Sequence, residues 1–312
     1  MYVAAREGVA LALLDDRGVL AVTGPDRQKF LHDVLSNDVS GRAAGQGSLA
    51  ALMDVKGHVL ALMRVLVTQD AVLLEMPKDR LARVESVLNH YKVAAPVRFA
   101  VRPTTVIGVV GPKAADAIAA SGGSVPGPGA ESNVAGRIAG QDVLVARASD
   151  LPARGFVVHV AEGGAAAVAD ALKASGAVIL DKATLDVLRI EDGRPWYGPD
   201  VTEENLLHET GLVGDYHSPT KGCYVGQEVV ARLEARGANV NKRLRGLRLG
   251  AAAAAGAPVL FDGREVGRIT TAAASPRLGP IALAYVQRGQ SESGTAVLVG
   301  GAPATVVPFP MD

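Results

Sequence analysis

Residues 19–35, VLAVTGPDRQKFLHDVL, contain a strand, a Gly-Pro turn and a helix in immediate succession. The first five residues form a continuous apolar run, which is typical of a buried strand. Gly24-Pro25 ends that run, since glycine and proline together mark turns. Beyond the turn the apolar residues return at helical spacing, as Phe30, Leu31, Val34 and Leu35. The stretch therefore predicts a buried strand followed directly by a helix.

The same arrangement begins again 87 residues later. Thr105–Val110, TVIGVV, is a second apolar run, and Gly111-Pro112 and an alanine-rich helix follow it. Two interpretations are open at this point. The chain contains an internal repeat, or it contains two unrelated copies of a junction that is common wherever strands and helices alternate.

The segments around these two junctions also alternate between strand and helix. Val59–Val67 and Ala71–Met76 predict a hairpin, and the spacing of Leu81, Val84 and Leu88 predicts a helix after it. The further predicted elements are a surface loop at Gly122–Asn133, a strand at Gly155–Val160, and helices at Ala165–Ala174 and Lys182–Glu191.

The pattern changes near Arg245. Helical periodicity ends there, and short β-prone runs alternate with turn pairs such as Asp262-Gly263, a dipeptide that favours tight hairpins. We therefore predict an α+β chain of two domains. Residues 1–244 form the mixed domain, and residues 245–312 form a separate antiparallel barrel or sandwich.

Composition excludes several classes of protein. The 32 basic and 32 acidic residues cancel, which argues against direct binding to nucleic acid. No apolar run reaches the roughly 20 residues of a membrane helix, and the N-terminal run Gly8–Leu14 is too short for a signal peptide. The single cysteine, Cys223, excludes an internal disulfide and suits a reducing compartment. We expect a soluble, cytoplasmic protein that binds neither nucleic acid nor membranes directly.

Cys223 lies in the stretch Lys221–Glu228, KGCYVGQE, which precedes a predicted helix. A helix N-terminus and a nearby ammonium such as Lys221 both favour the thiolate form of cysteine, so a reactive thiol is physically reasonable. The alternative is a buried, inert cysteine. His208 and His217 are close in sequence, but no acidic residue at a recognisable spacing completes a Cys–His catalytic arrangement. No phosphate-binding glycine motif appears in the required strand–helix context.

Glu191 ends a predicted helix, where the helix dipole disfavours a carboxylate. It therefore needs a compensating donor. One interpretation is structural, with Arg189 or solvent as the partner. The other is functional, with a ligand that offers two parallel N–H groups, such as the amino-pyrimidinone edge of a pterin.

These stretches together resemble the YgfZ-type folate-binding proteins, which are relatives of the glycine-cleavage T-protein (aminomethyltransferase) and of a mitochondrial iron–sulfur assembly factor. The resemblance spans nearly the whole chain. Its motifs are KGCYVGQEVVAR at Lys221–Arg232 with RGAN at Arg236–Asn239, VTGPD at Val22–Asp26 with FL at Phe30-Leu31 and SNDV at Ser36–Val39, DVKG at Asp54–Gly57, LRIEDG at Leu188–Gly193, and GRITT, SPRL and Ile281–Val286 near the C-terminus.

The resemblance implies a fold of two related α+β lobes, which form a folate-binding domain, and a C-terminal antiparallel β-barrel. It implies tetrahydrofolate, or a one-carbon-substituted folate, as the cofactor. Glu191 is then the pterin ligand, and Arg189, Asn37, Asp54 and Tyr224 are further cofactor-binding residues. Cys223 and Lys221 are the expected reactive residues, and no resident metal site is expected.

The chain departs from the aminomethyltransferases at two places. Their glycine pair is followed by an acidic pair, whereas this chain has Leu60 and Ala61 at those positions. A group that manages charge on the folate amine is therefore missing there. The T-proteins also lack the cysteine that this chain carries.

We accordingly expect an accessory protein of iron–sulfur cluster assembly or repair, with iron–sulfur proteins as partners and indirect effects on tRNA-modifying enzymes. A folate-dependent aminomethyl- or methyltransferase that uses Asp38, Asp54 or His58 is the alternative.

Overall fold

The computed structural model describes residues 1–311. The chain divides into two compact units. The first comprises Met1–Val55, Leu60–Asp181 and Gly214–Gln227. The second comprises Lys56–Val59, Lys182–Val213 and the chain from Glu228 onward. In residues 1–311 no helix is both long and apolar enough to cross a bilayer.

The first unit contains two sheets, and its first lobe is built on the strand, turn and helix of residues 19–35. After α1 (Tyr2–Glu7) and β1 (Ala10–Leu13), the five-stranded sheet has the order β3-β4-β5-β2-β6. Its elements are β2 (Arg17–Thr23), α2 (Arg27–Val34), β3 (Gly47–Met53), β4 (Val59–Val67), β5 (Val72–Pro77), α3 (Leu81–Lys92) and β6 (Arg98–Arg102). The predicted hairpin is confirmed, because Val67 pairs with Val72 across the turn.

The second lobe repeats this path. Its six-stranded sheet has the order β11-β1-β7-β10-β9-β8. Its elements are β7 (Thr104–Val110), α4 (Ala114–Ala120), β8 (Asn133–Ile138), β9 (Gln141–Arg147), β10 (Phe156–Ala161), α5 (Ala165–Ala174) and β11 (Val178–Ile179). The predicted strand before α5 and the helix itself are confirmed.

The internal repeat is therefore real. In each lobe a strand, a helix, a three-stranded meander, a helix and a final strand follow in the same order, and the meander packs beside the first strand in the same way. The lobes differ at one edge, where β1 takes the place that β6 has in the first lobe. Gly24 and Gly111 begin the two turns with φ of 110° and 109°. A Cβ at either position would approach a backbone oxygen to 2.0 Å or 2.5 Å, so both turns require glycine.

The second unit is built around a closed antiparallel barrel with the strand order β12-β15-β14-β13-β16-β17. The elements that follow β11 are α6 (Lys182–Glu191), α7 (Val213–Tyr216), α8 (Gln227–Ala235), β12 (Lys242–Leu249), β13 (Pro258–Phe261), β14 (Arg264–Ser275), β15 (Gly279–Gln287), β16 (Ala296–Val299) and β17 (Ala302–Val307). Of these, α7 belongs to the first unit except for Val213. Asp262 and Gly263 both have positive φ, as the predicted hairpin turn requires. The barrel is confirmed over the sandwich, and α6 packs against β14 and β15.

The prediction of a surface loop at Gly122–Asn133 is wrong for the three buried residues Pro126, Glu131 and Asn133. Glu131 is only 1% exposed, because its carboxylate pairs with the guanidinium of Arg64. The proposed domain boundary after residue 244 stays a prediction; the first barrel strand begins at Lys242.

Candidate functional site

The segment that carries Cys223 is attached to the first lobe. The hydroxyl of Ser36 donates to the carbonyl of Tyr216 at 2.6 Å, and the side-chain amide of Asn37 donates to the carbonyls of Leu49 at 2.8 Å and Asp215 at 3.3 Å. Ser36 and Asn37 lie in the connection between α2 and β3. Asn37 therefore acts as an anchor for the segment, and its predicted role as a cofactor ligand stays a prediction.

Lys221 holds the same segment to the end of α2. Its Nζ donates to the carbonyls of His32 at 2.6 Å and Leu35 at 2.8 Å, and it lies 4.3 Å from the centre of the Tyr224 ring. Cations are favoured at helix C-termini, where carbonyls lack intrahelical partners. Burial of the ammonium lowers the pKa of Lys221 to about 8, although Asp33 and other nearby acidic groups oppose the shift.

Cys223 itself is exposed, so the interpretation as a buried, inert cysteine is wrong. The next helix, α8, begins at Gln227, four residues later. The ring of His217 lies 5.8 Å from that of Tyr224, and both residues are buried. His208 belongs to the second unit.

Arg189 is buried inside the second unit. Its guanidinium donates to Asp186 at 2.6 Å, to Asp200 and to Thr271 at 3.2 Å, and it stacks over the ring of Trp196 at 5.1 Å. Asp200 accepts further hydrogen bonds from the backbone N–H of Trp196 and from Thr271. The network ties α6 to the barrel strand β14. This gives Arg189 a positioning role, and direct contact with a cofactor stays a prediction.

Glu191 is the last residue of α6, and none of its surface is exposed. Solvent is therefore not its partner. Its carboxylate accepts a hydrogen bond from the hydroxyl of Ser275, and its carbonyl accepts one from the backbone N–H of Met311 at 2.7 Å. The Ser275 oxygen is itself oriented by the backbone N–H groups of Arg277 and Leu278. The sequence did not predict Ser275 as the donor.

The positions that carry the acidic pair in aminomethyltransferases are apolar and buried here. Asp54 lies in the turn between β3 and β4, where Gly57 has a φ of 80°. Leu60 and Ala61 follow on β4, and both are part of the first lobe's hydrophobic core. Asp54 is partly exposed, and its predicted role in binding folate stays a prediction.

A buried ionic cluster between the two sheets of the first unit was not predicted. Arg64 on β4 pairs with Glu75 on β5, and with Glu131 and Asp150 from the second lobe. His159 on β10 bonds to Glu75 through Nε2 at 2.7 Å. The sequence does contain a signal for such a cluster. It is a single charged residue inside an apolar strand run, as in VLALMRVLV and VLLEMP.

Burial and the neighbouring charges together shift the pKa values of Glu131 and Glu75 in opposite directions. Burial raises the pKa of Glu131 more than Arg64 lowers it. Burial also acts on Glu75, but Arg64, His159 and Arg17 outweigh it and hold the pKa of that carboxyl well below its usual range. Glu75 is therefore ionised at neutral pH. Among the described residues no group of three or more His, Cys, Asp or Glu side chains could hold a metal ion.

Comparisons with known proteins agree with this architecture. The model of the GCVT N-terminal domain matches residues 2–214, and that of the glycine cleavage T-protein C-terminal barrel domain matches residues 242–312. An aminomethyltransferase of Corynebacterium jeikeium is 29% identical over 94% of this chain and 82% of its own. A tRNA-modifying protein YgfZ of Yersinia pseudotuberculosis is 31% identical over 75% of this chain and 70% of its own.

The structure of the glycine cleavage system aminomethyltransferase T from Bartonella henselae superposes with a TM-score of 0.88. It is 21% identical and the match covers 99% of this chain and 88% of that one, so it shows the same fold. On the two domain matches together, the chain belongs to the glycine-cleavage T-protein family.

Proposed function

We propose that this protein is a tetrahydrofolate-binding accessory protein of the YgfZ type, which acts in the assembly or repair of iron–sulfur clusters. The observation that carries the proposal is the exposed thiol of Cys223 on a segment that Lys221 and Asn37 anchor to the first lobe. The similarity to proteins named YgfZ supports it. We place the protein in the cytoplasm, because a lone exposed thiol survives best in a reducing compartment.

Glu191 is the proposed contact for the pterin of folate. A carboxylate offers about four acceptor sites, so the bond from Ser275 is compatible with a bidentate contact to a pterin edge. Ser275 and the Met311 N–H fix the orientation of Glu191, and Arg189 fixes the helix that carries it. Bound tetrahydrofolate would supply an amine that carries one-carbon groups. Asn37, Asp54 and Tyr224 are proposed as further contacts.

Cys223 is the proposed reactive residue, either as a redox thiol or as a transient cluster ligand. One thiolate cannot complete an iron–sulfur cluster, so the partner must be an iron–sulfur client or assembly protein that supplies the other ligands. Effects on tRNA are indirect in this proposal, through tRNA-modifying iron–sulfur enzymes. Zero net charge supports that view, and tight RNA binding with a steep salt dependence would contradict it.

A folate-dependent aminomethyltransferase is the second candidate, and the match to aminomethyltransferases over 94% of the chain favours it. The core positions of Leu60 and Ala61 argue against it, because the missing carboxylate has no acidic substitute in that strand. Asp38 is a poor replacement base. Although burial disfavours its charged form, the Gly41 N–H and His32 lower its pKa overall. Asp54 and His58 remain as candidates for that chemistry.

The deciding experiment begins with a titration of tetrahydrofolate. Trp196 is the single tryptophan and is 6% exposed beneath Arg189, so its fluorescence reports on the Glu191 helix. Saturable quenching supports folate binding, and its absence at millimolar folate contradicts both candidates. Turnover of an aminomethyl-lipoyl carrier that a substitution at Asp54 or His58 abolishes would establish the transferase instead.

A second experiment tests the role of the thiol in a deletion strain. The wild-type chain is expected to restore iron–sulfur enzyme activity, and Cys223→Ala is expected to fail while folding and binding folate normally. Equal rescue by Cys223→Ala would remove the thiol from the mechanism. No rescue by the wild-type chain would contradict a role in cluster assembly.

A further inference from the structure

A groove lies between the two sheets of the first unit and has no part in the proposed folate or thiol chemistry. Its volume is about 570 Å³, within the range of small-molecule sites. The walls are mainly apolar, with Leu73 from the first sheet and Val143 and Val160 from the second. The rim is polar and exposed, and includes Asp70 and Arg102. We call this cavity the inter-sheet groove.

His159 lines the inter-sheet groove and is only 4% exposed. Its Nε2 bonds to the carboxylate of Glu75 at 2.7 Å. Its Nδ1 is buried and has no hydrogen-bond partner among the described residues. A buried ring nitrogen without a partner is costly, so an unpaired one beside a cavity indicates a ligand that completes it.

The bond to Glu75 determines what such a ligand must offer. Glu75 is ionised because Arg64 and Arg17 face it, and an ionised carboxylate only accepts hydrogen bonds. In the neutral tautomer that donates to Glu75, the proton of His159 is on Nε2, which leaves a lone pair on Nδ1. The ligand must present a donor to that lone pair.

We propose that the inter-sheet groove binds a small, neutral aromatic heterocycle whose N–H group donates to Nδ1 of His159. The apolar walls favour an uncharged ring, and the slot between two β-sheets favours a flat one. The donor fixes the orientation of the ring. This proposal does not depend on folate binding, because no residue of the inter-sheet groove is a proposed folate contact or lies in the segment that carries Cys223.

Indole tests the proposal, with 1-methylindole as the matched probe that lacks the donor. Both are titrated into the full-length ¹⁵N-labelled protein while the imidazole nitrogens of His159 are followed by long-range ¹H–¹⁵N NMR. Indole is expected to bind saturably and to shift the Nδ1 resonance. The methylated probe is expected to bind about three- to tenfold more weakly, as the loss of one hydrogen bond implies.

Two variants separate a built site from a bare cavity. His159→Phe keeps a flat ring but removes the Nδ1 acceptor, and Glu75 keeps its ion pair with Arg64, so the preference for indole should vanish. Ala135→Trp fills the groove from an exposed position on β8 and should abolish binding, whereas Ala120→Trp on the exposed side of α4 should not. Equal affinity for the two probes, unchanged binding in Ala135→Trp, or the absence of saturable shifts would each overturn the proposal.

Discussion

Arg64→Met is expected to be the most damaging single substitution in the first unit. Arg64 is 1% exposed and holds three carboxylates, of which Glu75 and Glu131 are each 1% exposed. Methionine keeps the length of the side chain and leaves these charges without their common partner. Removing one partner of a buried ion pair costs about 3–5 kcal/mol, which corresponds to a fall in Tm of about 10 °C for a unit of this size.

The pH dependence of this variant gives a second, sharper readout. In the wild type, Glu75 has a lowered pKa, so its contribution to stability is present above the unfolded value of about 4.3 and is lost as the pH falls. Without Arg64, burial raises the pKa values of the remaining carboxyls. The variant should therefore lose stability as the pH rises, and its deficit should be smaller at pH 5 than at pH 7.

Urea unfolding at the two pH values measures both effects. Arg137→Met is the matched control, since Arg137 pairs with Asp142 at 2.7 Å but the two side chains are 70% and 85% exposed. That exposed pair should contribute nothing measurable. A deficit below about 1 kcal/mol for Arg64→Met, or one that grows on acidification, would refute the reasoning about the cluster.

Three further substitutions test other parts of the molecule. Glu191→Gln should weaken tetrahydrofolate binding about 10- to 100-fold in a calorimetric titration, because a charge-assisted contact is worth about 1.5–3 kcal/mol. The apo Tm should stay equal or rise slightly, because the helix dipole disfavours a carboxylate at this position. A lower Tm with intact binding would make Glu191 structural. Lys221 has a pKa of about 8, below the unfolded value of about 10.4, so unfolding free energy should rise between pH 8 and pH 10, and Lys221→Met should abolish that rise. If the slope persists in the variant, another group causes it. Gly24→Ala should cost about 2 kcal/mol in urea unfolding, since its φ is 110° and a Cβ would meet a carbonyl oxygen at 2.0 Å. Gly163→Ala, which faces open space, should be nearly neutral, and equal effects at both glycines would contradict the steric argument.

The elements that the sequence predicted well are those in which local periodicity and tertiary environment agree. The helices at Ala165–Ala174 and Lys182–Glu191 have the expected bounds, because one face of each is apolar and the flanking residues stop the helix. The edge strands were missed. β6 is exposed along most of its length, so its apolar residues show no alternation that a sequence pattern could register.

The sequence by itself determined the α+β class, the antiparallel strands near the C-terminus, the glycine-dependent turns and the motifs that indicate the family. These depend on the spacing of neighbouring residues, and a short window of sequence contains all of the relevant information. Cys223 and Glu191 could also be chosen in this way, because each is chemically unusual for its local context.

Only the tertiary structure decided which residues meet. Lys221 bonds to the end of a helix 189 residues earlier, and Arg64 contacts Asp150 from 86 residues away. Burial of Glu131 and the lone pair of His159 follow from the same packing of one lobe on the other. A charged residue in a strand has the same sequence pattern whether it faces water or an opposite charge. Its energetic role differs between the two cases only because folding removes the water around it.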